Sequence, residues 1–153
     1  MKIYGSNLPF GVPARTFVID GSVAHPVLPF VQALEKEKFR VISEPGQQPI
    51  RFRYGSFLKG LLSHEFVPTL ILPEKFQRWD LAINVLVAVE LDEHGNHAVT
   101  ITGNGFPRRG NDFLFDVVAK GAAAFARTGH LLHTSEYFQG DPKMMKRNGK
   151  AAK

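Results

Sequence analysis

The run Gly103-Asn104-Gly105-Phe106-Pro107-Arg108-Arg109-Gly110 holds the residues best suited by type and spacing to do chemistry. A glycine-rich turn between a strand and a helix N-terminus gathers free backbone N–H groups at the positive end of the helix dipole, and such a place holds anions. Arg108 and Arg109 would add charge, so Gly103, Asn104, Gly105, Arg108 and Arg109 form the candidate anion site. The run lacks the Gly-Lys-Ser/Thr ending of a Walker loop and the Gly-x-Gly-x-x-Gly spacing of a dinucleotide loop. A structural role competes with ligand binding here: the same turn would aim the following helix back across a sheet.

The other reactive side chains are explained by local structure. His94 and His97 flank a turn, and His130 and His133 would share a helical turn only if the helix ran on past Gly129, which is expected to end it, so neither pair defines a metal site. His64-Glu65 opens like a zincin motif but has no second histidine at the required spacing. No Gly-x-Ser-x-Gly occurs. Asp112 and Asp116 are one helical turn apart, and Asp112 suits a helix start. With zero cysteines there is no thiolate ligand, disulfide or cysteine nucleophile. Arg51-Phe52-Arg53-Tyr54 resembles a nucleic-acid stacking strand, but the more economical account is a half-buried strand with Ile50 and Phe52 toward the core and both arginines toward water. No metal and no cofactor is expected, and no catalytic residue is assigned.

The elements that would position these groups follow from periodicity. Leu81, Ile83, Val85, Val87, Val89 and Leu91 alternate along one face of a strand over 80–91, Asp92-Glu93-His94-Gly95-Asn96 turns it, and His97–Gly103 returns with Val99 and Ile101 inward. Asn111 or Asp112 then caps a helix whose Leu114, Val117, Val118, Gly121, Ala122 and Phe125 form one stripe, with Gly129 as its stop. An earlier helix spans 26–38, with Pro26 at its first position and Val27, Phe30, Val31 and Leu34 on one side. Short strands are expected at Lys2–Tyr4, Thr16–Asp20, 39–43, 50–54 and Val67–Leu72. The fold class is therefore α/β of the α+β type: a mainly antiparallel sheet of about four to six strands with two amphipathic helices packed on it.

The 153 residues, 44% apolar and 22% charged, suit one globular domain rather than a disordered or fibrous chain. Five of the 19 basic residues, Lys143, Lys146, Arg147, Lys150 and Lys153, lie beyond position 142, and the other 14 balance the 14 acidic residues. The expected organisation is a neutral domain over 1–139 and a basic, disordered tail over 140–153. No apolar run approaches the roughly 18 residues of a membrane span, and the start lacks a signal-peptide pattern. The expected compartment is the cytoplasm as written, or the periplasm if a targeting segment has been removed.

The order of these pieces resembles that of small bacterial envelope lipoproteins of the ABC-transport-auxiliary type: a helix entering a short strand (Leu34 to Ile42), an alternating strand (Ile50 to Tyr54), a long apolar hairpin and an alanine-rich helix (Asp116 to Arg127). The stretch Val87-Ala88-Val89-Glu90-Leu91-Asp92-Glu93-His94-Gly95-Asn96 is also similar to the hairpin of TonB C-terminal domains. The lipid-anchoring cysteine of those lipoproteins is missing. The resemblance implies a non-catalytic interaction or assembly protein, an adaptor in a bacterial envelope or secretion complex with a protein partner. The alternatives are a small-ligand or anion-binding protein, or an enzyme, using the Gly103–Gly110 loop, and a nucleic-acid contact through the basic tail.

Overall fold

The computed structural model describes residues 11–55, 81–106 and 109–146. The strands expected at Lys2–Tyr4 and Val67–Leu72 lie outside these residues, as do Arg108 and positions 147–153. In chain order the elements are β1 (Pro13–Ile19), α1 (Leu28–Lys36), β2 (Arg40–Val41), β3 (Ile50–Gly55), β4 (Ala82–Leu91), β5 (His97–Phe106), α2 (Arg109–Arg127), β6 (Leu131–Thr134), β7 (Phe138–Gln139) and α3 (Pro142–Lys146). Among the described residues seven strands make one open antiparallel sheet in the order β2-β3-β4-β5-β1-β6, with β7 also on β1. The expected α+β class holds, with one strand more than the upper expectation.

Antiparallel pairing puts alternate residues on opposite faces, and here the two faces have different fates. The inner face carries Phe17, Ile19, Phe52, Ile83, Val85, Val87, Val99 and Ile101, all at most 3% exposed. These pack with Phe30 and Leu34 of α1 and with Leu114, Val117, Val118 and Phe125 of α2 in one core. The whole stripe expected on α2 is buried. Gly121 on that stripe meets α1 rather than the sheet: a Cβ there would stand 2.8 Å from Phe30 Cδ1 and 3.0 Å from Phe30 Cα. Leu91, aligned with the inner face, is 69% exposed because it lies at the hairpin end, beyond the helices.

Both long helices end in the same device. At α2, His130 N–H donates to Phe125 O and Gly129 N–H donates to Ala126 O, the two bonds of a Schellman motif, with Gly129 at φ +75° as expected. At α1, Phe39 N–H donates to Leu34 O and Lys38 N–H to Glu35 O, so Lys38 takes the left-handed position at φ +73°. A lysine there crowds its Cβ against its own carbonyl. Lys38→Gly is therefore expected to stabilise the protein by up to about 1 kcal/mol, glycine's greater freedom in the unfolded chain offsetting part of the gain. Urea unfolding midpoints check this, and a lower midpoint in the variant would refute it.

Three boundaries differ from expectation. Helix α1 begins at Leu28, with Pro29 in its first turn, so Pro26 precedes the helix. Helix α2 begins at Arg109, which places Asn111 and Asp112 in its first turn rather than at its cap. Regular structure also continues past 139. Gly140 N–H donates to Val12 O at 2.7 Å, α3 follows, and Met145, 4% exposed, packs with Val12 and Leu86 on the outer sheet face. The expected disordered tail thus contributes at least its first turn to the fold, because the outer face carries an apolar residue, Leu86, that needs cover.

Candidate functional site

The described residues of the stretch expected to be an anion-binding loop belong to a strand and a helix. Gly103, Asn104 and Gly105 belong to β5, opposite Val85, Asn84 and Ile83 of β4, while Arg109 and Gly110 already belong to α2. Gly105 N–H donates to Asn111 Oδ1 at 2.8 Å, and Asn111 is 2% exposed. This bond draws the first turn of α2 onto β5. The glycines permit the approach: a Cβ at Gly105 would lie 2.7 Å from Asn111 N, and one at Gly103 would collide with Leu114 Cδ2. The structure therefore places Gly103, Gly105 and Arg109 at a strand–helix contact and turns Asn104 outward.

The other reactive groups are tied into the fold. His97 Nε2 lies 3.1 Å from Val23 O, and His130 Nδ1 lies 2.8 Å from Thr128 Oγ1. Ser22 N–H donates to Asp20 Oδ1 at 2.8 Å; this bond is the main reason the Asp20 carboxyl sits below its ordinary value, with a smaller pull from His130. Among the described residues no three His, Asp or Glu side chains converge as a metal site. Arg15 Nε donates to Ser135 O at 2.8 Å, Nη1 donates to the Tyr137 hydroxyl at 3.1 Å, and the guanidinium stands 4.4 Å from the Tyr137 ring centre. Burial pushes the Tyr137 hydroxyl above its ordinary value, while Arg15 pulls the other way. Arg15 thus fastens β1 to the segment joining β6 and β7. A groove of about 260 Å³ beside it is floored by Ala119, Ala122, Ala123 and Ala126.

One group of charges has no such structural employment. Arg40 on β2 is directly opposite Arg53 on β3, Arg53 is opposite Asn84 on β4, and Asn84 is opposite Asn104 on β5. Directly opposed residues share a face, so these four side chains form a polar row across four strands on the face away from α1 and α2. Arg53 Nε donates to Asn84 Oδ1 at 3.2 Å. Arg40, Arg53 and Asn84 line a cavity of about 360 Å³ with Tyr54, Gly55, Ala82 and Ile83. Among the described residues no carboxylate pairs with Arg40 or Arg53. Like charges placed directly opposite each other across a ladder repel, so this arrangement works against the sheet's stability unless an anion offsets it.

The neighbouring row behaves differently. Arg51, expected to face water like Arg53, is opposite Leu86 and only 6% exposed, because the strip that Val12 and Met145 cover passes there. The sequence shows Arg40, Arg51 and Arg53 as equals; only the strand register separates the covered arginine from the two that face each other. No protein-family model, curated protein or solved structure matches the chain. No helix among the described residues is long and apolar enough to cross a membrane.

Proposed function

We propose that the protein is a non-catalytic binding protein that engages an anionic partner through the outer face of its sheet. The observation that carries this reading is the Arg40–Arg53 pair: two guanidiniums directly opposed on adjacent strands, both lining one cavity, with no carboxylate partner among the described residues. The non-catalytic part is supported by where other polar groups are spent. Asp92 accepts from His94 and Asn96 N–H to close its turn, Asn96 accepts from Gly21, Thr16 bonds Thr100, and Asn111 holds β5 to α2. A face is favoured over an edge as the contact. Among the described residues the outermost strands are β2, two residues long, and β6, whose pairing shifts register between Val18 and Ile19; short or irregular edges resist strand addition.

The test is thermal unfolding in phosphate against chloride at matched ionic strength. An anion at ten times its Kd adds about 1.4 kcal/mol, or roughly 3–6 °C for a chain of this size. The wild type and Arg127→Ala, which removes an exposed charge at the end of α2, are expected to show such a rise, and Arg40→Ala with Arg53→Ala to lose it. No phosphate-specific rise, or one that survives the double substitution, would refute the reading.

A further inference from the structure

We infer that the anion held at Arg40, Arg53 and Asn84 is the phosphate group of a small phosphate ester. This rests on the anion-binding reading above and adds the chemical class of the ligand.

The hydrogen-bonding character of the site is one-sided. Arginine has only donors, so the Asn84 atom that receives Arg53 Nε is its carbonyl oxygen, the amide's only acceptor atom. The Asn84 NH2 is then left as a donor, beside the remaining N–H groups of Arg53 and those of Arg40. The Arg40, Arg53 and Asn84 side chains that line the cavity thus offer a ligand donors, and suit a group that accepts from several directions at once. A phosphate monoester does so with three terminal oxygens, and its charge of about −1.5 to −2 near neutral pH matches two guanidiniums, where a carboxylate brings only −1. The planar forks of two arginines on neighbouring strands also suit a tetrahedral group that can be approached from two sides.

The cavity is larger than the anion. Its volume of about 360 Å³ is roughly twelve times the 30 Å³ share of a water molecule, and falls at the low end of the range for small-ligand sites. Gly55 and Ala82, paired across β3 and β4, line it with little side chain, which leaves room beside the phosphate for an organic body the size of a sugar.

Isothermal titration of the full chain tests this with ribose 5-phosphate, inorganic phosphate, ribose, gluconate and an oligothymidylate lacking terminal phosphates. Ribose 5-phosphate is expected to bind at least about tenfold more tightly than inorganic phosphate or gluconate, and ribose not to bind. Arg40→Ala with Arg53→Ala should weaken the ester at least tenfold. Asn84→Asp, which sets a carboxylate between the donors on an exposed part of the face, should do the same without lowering the melting temperature. Equal binding of ester and inorganic phosphate, both dependent on the arginines, would overturn the inference and leave the anion-binding reading standing. Equal binding of gluconate, or tighter binding of the oligothymidylate, would overturn it in the same way. If none of the anions binds, both readings fail.

Discussion

Phe30→Ala is expected to lower stability by about 3–5 kcal/mol, the range for truncating a fully buried aromatic side chain. Phe30 is 0% exposed and stands where three elements meet: its ring centre is 5.2 Å from that of Phe17 on β1 and 5.9 Å from that of Phe125 on α2, and its backbone lies against Gly121. Alanine would leave a void that neither helix can close without losing its seat on the sheet. At roughly 2–4 °C per kcal/mol for a chain of this length, the melting temperature should fall by about 6–20 °C. A double-mutant cycle isolates the helix–helix contact. Gly121→Ala alone gains helix propensity of about 1 kcal/mol but drives its new methyl group toward Phe30 Cδ1, and should be neutral or destabilising. In the Phe30→Ala background that ring atom is gone and only the Phe30 backbone, with Cα 3.0 Å away, still opposes the methyl group, so the same substitution should be more favourable than in the wild type, with a coupling above about 0.5 kcal/mol. Additive effects would mean that α1 and α2 do not touch as described.

The sequence made this junction legible only in part. The stripe from Leu114 to Phe125 and the alternation of β4 and β5 announce an inner face because burial imposes one period on a helix and another on a strand. They do not say which element lies against which. Gly121 reads the same whether it faces a strand or a helix, and only the packing shows that its neighbour is Phe30. The C-terminal segment misled for a related reason. Basic residues mark its composition, while the side chain that anchors it among the described residues, Met145, has no periodic companions in a five-residue helix. The candidate anion site was hidden more deeply. Arg40 and Arg53 are 13 positions apart, and nothing in either local pattern states that the turn between them places one directly across from the other. Register is a property of pairing, and the alternation of one strand fixes only which face each residue takes.

The two readings of the Gly103–Gly110 stretch, a ligand loop and a structural turn that aims the helix, part company at Gly105, and Gly105→Val separates them. If glycines 103 and 105 served a ligand, the substitution would remove binding and leave the fold nearly intact. The structure argues otherwise: a Cβ at Gly105 would lie 2.7 Å from the backbone nitrogen of Asn111 and 2.9 Å from the carbonyl carbon of Gly110, atoms that move only if the start of α2 moves. Shifting that turn also breaks the Gly105–Asn111 hydrogen bond and leaves Asn111, 2% exposed, with a buried amide to satisfy. Overpacking of about 1–3 kcal/mol and a lost buried bond of about 1 kcal/mol act together, against a gain of at most about 1 kcal/mol from valine's preference for strands. The expected net loss is about 2–3 kcal/mol in urea unfolding. Because the Arg40–Arg53 cavity is lined by β2, β3 and β4, the surviving folded fraction should still respond to phosphate as the wild type does. A variant of wild-type stability that had lost its phosphate response would instead return the anion site to the strand–helix turn, where the glycines first suggested it.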